Sequence, residues 1–219
     1  MSVKDFMTKN LVVVHPETPI FDAVDLMKRH DIHRLPVLQD EQLVGLITEG
    51  IISAAMPSQA TSLSVYEINY LLNKTTVGDV MEKKVLTIDP DALLEDAIYE
   101  MRKNNVGVLP VIEDERLVGI ITNNDIFDAF LKITGYHDGG TRVTVQITDD
   151  HKGILAELTN VLAEHDLSIL TIVVNRMELA TIVEIQVETR ESEKVREFLT
   201  EAGYHVVSAV VTKPQKDAE

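Results

Sequence analysis

Residues 45–51 read GLITEGI, and 74 positions further on residues 119–125 read GIITNND. The turn is nearly the same, but it ends in Ile51 in the first copy and in Asp125 in the second. The resemblance is not confined to the turn. With the same offset, residues 3–52 align without a gap to residues 77–126, with 19 identities in 50 positions. Unrelated segments of ordinary composition would share about three. The chain therefore carries an internal duplication, and whatever fold one copy adopts the other must adopt too.

Each copy has the same local pattern. A short apolar run at residues 11–14 or 85–88 ends near Pro16 or Pro90 and predicts a brief strand. Ile20, Ala23, Val24 and Met27, with Leu94, Ala97, Ile98 and Met101 in the second copy, follow the i, i+3, i+4, i+7 spacing of a helix with one buried face. LPVL and LVGLIT, then LPVI and LVGIIT, are strand pairs separated by the acidic turns QDEQ and EDER. A second helix follows each threonine, with Thr48 or Thr122 at the N-cap. The order is β-α-β-β-α, twice. Between the copies VYEINYLLNK has helical spacing at Val65, Ile68, Leu71 and Leu72 and predicts a connecting helix.

The pattern changes after TGYHDGG, a glycine-rich linker. Residues 142–147 alternate as a strand, and DDHKG opens a helix with Asp150 as the expected N-cap. Ile154, Leu158, Val161 and Leu162 mark that helix. Two β-branched strands at residues 168–174 and 181–187, a helix marked by Val195, Phe198 and Leu199, and a strand at residues 205–211 complete β-α-β-β-α-β, a ferredoxin-like unit. The expected fold class is thus mixed α and β. Its divisions are 1–58 for the first repeat, 59–76 for the connecting helix, 77–134 for the second repeat, 135–140 for the linker, 141–212 for the ferredoxin-like unit and 213–219 for a polar tail.

Composition narrows the function. The 219 residues carry 36 acidic and 20 basic side chains, a net charge of −16. Duplex binding depends on cations that neutralise phosphates, so general nucleic-acid binding is disfavoured. No cysteine is present, which removes disulfides and thiolate chemistry and fits a reducing compartment. No apolar run is long enough to span a bilayer, and the opening MSVKDFMTKN lacks the pattern of a secretory leader. A cytoplasmic location is expected. G-x-S-x-G, H-E-x-x-H and phosphate-loop motifs are all absent from the sequence. His30 and His33 show no third partner for a metal.

Two β-α-β-β-α repeats, each with L-P-V followed by G-h-h-T-x-x, resemble a tandem CBS-domain (Bateman) module. The C-terminal unit, with D-x-x-G at Asp150 to Gly153, resembles an ACT domain. The combination is similar to the CBS-ACT proteins of the acetoin-utilisation type. The resemblance implies a non-catalytic regulatory protein that binds an adenosine-containing ligand such as AMP, ADP, ATP or S-adenosylmethionine, without a catalytic cofactor. It also implies a homodimer, with the ACT domain serving dimerisation or amino-acid sensing through Asp150, His151 and Gly153.

The resemblance further implies that each cleft is built from both repeats. Thr122 and Asp125 would then face His33 and Arg34, whereas Thr48 and Ile51 would face Gly107 and Val108. An ionised carboxylate can accept both hydrogen bonds of a ribose diol, and guanidinium and imidazole can donate to phosphate. The first cleft has both; the second has neither. Val12, Ile32 and Ile120 would wall the base, with Asn10 and Asn124 as polar neighbours. Leu46, Leu86 and Val106 would line the second cleft, which either holds a less polar ligand or packs shut. Plainer readings stand beside these. Asp125 can be an early-helix acid, His33 and Arg34 a solvated strand edge, and the chain an adaptor with no nucleotide. An enzyme of acetoin metabolism is the remaining alternative.

Overall fold

The computed structural model describes residues 1–55, 74–178 and 180–213. The expected connecting helix and the polar tail fall almost wholly outside the described residues. Two compact units are present, residues 1–126 and 127–219.

In the first unit each repeat contributes a helix, a hairpin and a second helix. The first has α1 (Ile20–His30), β1 (Arg34–Gln39), β2 (Gln42–Thr48) and α2 (Glu49–Ala55). The second has a short α3 (Val77–Val80), then α4 (Leu94–Asn104), β3 (Val108–Glu113), β4 (Arg116–Thr122) and α5 (Asn123–Ile133), which runs on into the second unit. Ile20, Ala23 and Met27 of α1 are buried, as are Leu94, Ala97 and Met101 of α4. Both helices close on a left-handed residue, Asp31 or Asn105. The two hairpins turn on Asp40-Glu41 and Asp114-Glu115, all four with positive φ. That is the geometry of a two-residue turn whose twist matches the strands, here formed by acids rather than by Asn-Gly.

The strands expected at residues 11–14 and 85–88 do not form. Each run makes one isolated parallel bridge, Val14 to Val37 and Ile88 to Val111. Pro16 and Pro90 lie two residues on, where a continuing ladder would need the N–H that proline lacks.

What joins the repeats is an exchange of their leading segments. Val3 N–H and Lys4 N–H donate to the carbonyls of Ala92 and Pro90 in the second repeat, and Thr8 bridges Ile120. Reciprocally, Val77 N–H and Gly78 N–H donate to Thr18 and Pro16 of the first repeat, and Glu82 bridges Leu46. Met7 thereby lies over Gly119 and Met81 over Gly45. The glycine of each LVG is the gap that the methionine of the other copy fills. Leu46, Val108 and Ile120, with Leu11 and Val85 against them, form the apolar centre where the copies meet.

The second unit is one four-stranded antiparallel sheet, β5 (Gly140–Ile147), β6 (Ile169–Arg176), β7 (Thr181–Val187) and β8 (His205–Thr212), in the order β6-β7-β5-β8. Helices α6 (Ile154–Glu164) and α7 (Ser192–Glu201) supply Leu158, Leu162, Val195 and Leu199 to its core. Gly140 has φ +98° and faces the Val187 carbonyl where a side chain would stand, so the linker glycine is required by sheet packing. The residue capping α6 is Gly153, with φ 101°, and not Asp150. The Asp150 carboxylate instead accepts hydrogen bonds from Arg176 Nε and Thr181 Oγ1, both at 2.9 Å.

Candidate functional site

The exchange of leading segments builds a cleft from both repeats. Its floor is Val12 and Ile32 from the first and Ile120 from the second, continuing the apolar centre. Asn10, His33, Arg34, Thr122, Asn124 and Asp125 also line it, so all nine residues singled out in the sequence share one cavity of about 220 Å³. The sequence reading missed Thr8, Leu11, Asp31, Pro36 and Asn123, which line it too.

Asp125 sits at the third position of α5, where it closes a capping box. Its Oδ2 accepts from Thr122 N–H at 2.6 Å and Thr122 Oγ1 at 2.7 Å, and the threonine oxygen accepts from Asp125 N–H at 3.4 Å. The same device recurs outside the cleft, in Ser2 with Asp5 and in Thr76 with Asp79. The early-helix role of Asp125 is therefore real. It leaves Oδ1 turned elsewhere, contacted by Thr8 Oγ1 at 3.3 Å. In the first repeat Thr48 caps α2 by accepting Ile51 N–H at 3.2 Å, with no carboxylate to reciprocate.

Arg34 crosses the cleft floor. Its Nη1 donates to the Gly107 carbonyl of the other repeat, which also accepts from Asn123 N–H at 3.2 Å. Burial pushes the guanidinium pKa down, and the Asp125 charge pulls it back up. A side chain at position 107 would begin 3.0 Å from Asn123 Nδ2 and 3.6 Å from Arg34 Nη1. Arg34 in one copy and Gly107 in the other are thus one arrangement. His33 is more peripheral: its side chain is 65% exposed and its Nδ1 lies 3.0 Å from Glu49 Oε2.

The second cleft is open rather than packed shut, with a volume of about 430 Å³. Leu46, Leu86, Val106, Gly107, Thr48 and Ile51 line it as expected, but it is not free of charge. Glu82 and Lys84, at the positions of Thr8 and Asn10 in the duplication, stand in its wall. Charge has moved from the strand and helix walls to the leading segment, and Glu82 Oε1 accepts Lys84 N–H at 2.9 Å.

In the second unit Asp150 is held by Arg176 and Thr181, and these hydrogen bonds and the nearby charges lower its pKa, the Thr181 bond most. His151 Nε2 is 3.9 Å from Glu157 Oε2. Gly153 opens on space, its nearest neighbour being Glu157. Among the described residues, no three His, Asp or Glu side chains are grouped to hold a metal, and no helix is long and apolar enough to cross a membrane.

Residues 3–58 and 77–132 match the CBS domain, and residues 141–197 match the ACT domain. The chain is a tandem CBS-domain protein with a C-terminal ACT domain. Solved structures are similar to it over about six tenths of the whole chain. The Vibrio cholerae protein named for acetoin utilization, AcuB, is 27% identical with a TM-score of 0.53, over 63% of this chain and 96% of its own. CBSX2 of Arabidopsis thaliana, solved in complex with AMP, is 34% identical with a TM-score of 0.51, over 60% and 97%. The CBS domain pair of protein MJ0100, solved with 5′-methylthioadenosine and S-adenosyl-L-methionine, is 30% identical with a TM-score of 0.50, over 59% and 95%.

Proposed function

We propose that this CBS-ACT chain is a regulatory sensor that takes an adenosine-containing ligand in the cleft between Asp125 and Arg34. The observation that carries the reading is a half-buried guanidinium and a carboxylate across one apolar-floored cavity. Small-ligand sites are commonly apolar with a few placed polar groups. Two similar CBS pairs hold AMP, or methylthioadenosine and S-adenosylmethionine. The base packs on Val12, Ile32 and Ile120, with Asn10 and Asn124 at its polar edges. The ribose diol displaces the Thr8 hydroxyl from Asp125 Oδ1, while Oδ2 stays in the helix cap. Arg34, with four N–H donors beyond the one given to Gly107, receives the phosphate or its substitute. Regulation follows by linkage: a ligand that prefers one geometry of the Bateman module shifts the population toward it.

The ACT domain fits the assembly half of the reading better than the amino-acid half. Asp150 is already engaged, whereas Leu170, Ile172 and Val173 on edge strand β6, and Val207, Val210 and Val211 on edge strand β8, are exposed. A homodimer formed through these edges predicts twice the chain mass by light scattering.

The test of the nucleotide reading is a thermal-shift titration of the wild type, Asp125→Ala and Asp79→Ala with adenosine, AMP and S-adenosylmethionine. Both variants lose a capping box, but only Asp125 lines the cleft. At 100 times its dissociation constant a ligand adds about 2.7 kcal/mol, which moves the midpoint by roughly 5–10 °C. The shift should survive in Asp79→Ala and vanish in Asp125→Ala. The adaptor reading is favoured by the engagement of Asp125 in its cap, and it predicts no shift with any of the three.

A further inference from the structure

The sensor reading leaves the ligand's phosphate count open, and the charges around the cleft bear on it. Among the described residues, the charged side chains lining the cavity are Asp31, His33, Arg34 and Asp125. Of these four, only Arg34 is a fixed cation. It is half-buried, tied to the Gly107 carbonyl and attracted to Asp125. His33 is mostly exposed, and its imidazole lies against the Glu49 carboxylate. Asp31 is held at the lip by the left-handed turn that ends α1, with φ 52°. It stands two residues before the His33-Arg34 pair. Two carboxylates, Asp31 and Asp125, thus line the cleft with one guanidinium and one imidazole, and a third, Glu49, lies against that imidazole.

From this balance, and resting on the nucleotide reading above, we infer that the cleft selects an adenosine ligand with no more than one phosphate and rejects di- and triphosphates. One guanidinium fork can hold one phosphate by two parallel hydrogen bonds. A second and third phosphate bring further negative charge into a cleft that already holds Asp31, with no cation besides Arg34 fixed among the described lining residues to meet them. Like charges brought together in this way act against a wrong ligand as effectively as contacts favour a right one. Asp31 is therefore a specificity-determining residue: it does not hold the ligand but repels the longer polyphosphate. The duplication points the same way. The equivalent of Asp31 in the second repeat is Asn105, a neutral residue in the same left-handed turn, so the turn does not require the acid.

The experiment is calorimetric titration of the full chain with adenosine, AMP, ADP and ATP, without divalent metal, repeated with Asp31→Asn and Arg34→Gln. The wild type should bind AMP at least tenfold more tightly than ATP, with ADP between. Asp31→Asn should leave AMP within about threefold and narrow the ATP gap severalfold, by the Coulomb effect of one nearby charge. Arg34→Gln should bring AMP down to the level of adenosine. ATP binding equal to or tighter than AMP overturns this inference and leaves the nucleotide reading standing. An AMP-to-ATP gap unchanged in Asp31→Asn overturns the role of Asp31. Absence of binding by all four compounds removes the nucleotide reading itself, and this inference with it.

Discussion

Ile51 and Asp125 hold equivalent positions and do different work. Asp125 completes a cap on α5. Ile51 forgoes the reciprocal half of that cap and packs against the core cluster of Leu35, Ile47 and Ile52 instead. A capping interaction contributes about 1 kcal/mol. Half-burying an isoleucine contributes about as much or slightly more. Ile51→Asp should therefore lower the stability of the Bateman unit by about 1 kcal/mol or less, because the new cap offsets most of the lost packing. Urea unfolding at pH 7 measures this, and a clear gain in stability would mean that the Ile51 contacts count for little. The contrast between the two residues was legible in the sequence, and so were nine of the residues that line the cleft. Thr8 was not. It reaches Asp125 through a bridge between the leading segment of one repeat and a strand of the other, and no local pattern reports a pairing between segments so far apart in the chain. Nor did the sequence disclose that Asp125 Oδ2 would be occupied, although T-N-N-D has the spacing of a capping box.

The elements themselves were legible wherever a period ran long enough. Helices α1, α4 and α6 follow their apolar spacing, and β7 spans the expected residues. The brief strands before Pro16 and Pro90 were not, because a strand is made by its partner and here the partner supplies one bridge. The exchange of leading segments could not be read from local pattern, although the family resemblance implied clefts shared between the repeats. In a duplication, docking on one's own repeat and docking on the other repeat use the same residue types, so Met7, Met81, Gly45 and Gly119 fit either. The two glycines nevertheless differ in what surrounds them. The three atoms nearest a methyl group at Gly119 all belong to the Met7 side chain, which is flexible and can yield. At Gly45 it would meet Met81 and also lie 3.1 Å from the Glu82 backbone carbonyl, which is fixed by the paired hydrogen bonds between Glu82 and Leu46. Gly45→Ala should cost about 1–3 kcal/mol, and Gly119→Ala less than half of that. Paired denaturation curves decide it, and equal losses would show that the exchanged segments are held with equal stiffness.

Across the whole molecule, charge ties stability to pH in a predictable direction. Asp5 and Asp79 in the Bateman unit have pKa values lowered by the backbone and hydroxyl donors of Ser2 and Thr76. Asp150 in the ACT unit is lowered by Thr181 first and then by the Arg176 charge. A carboxylate with a depressed folded pKa stabilises the fold fully above its unfolded value, near 3.8 here. That stability is lost as pH falls through the lower folded value. Both units should therefore weaken in the window below about pH 4. They should do so as separate transitions if each unfolds as its own cooperative body. Asp150→Asn distinguishes the units. It removes the charge that Arg176 and Thr181 stabilise, so at pH 7 it should lower the ACT transition and leave the Bateman transition in place. As the wild-type Asp150 becomes protonated within that window, wild type and variant should converge, because both then present a neutral group to the same partners. Urea midpoints at about pH 7, 5 and 3 for the two proteins provide the measurement, running from above the window into it. A gap that stays constant across the series would mean that the amide in Asp150→Asn fails by shape rather than by charge, and that the ion pair contributes nothing to the acid sensitivity of the domain.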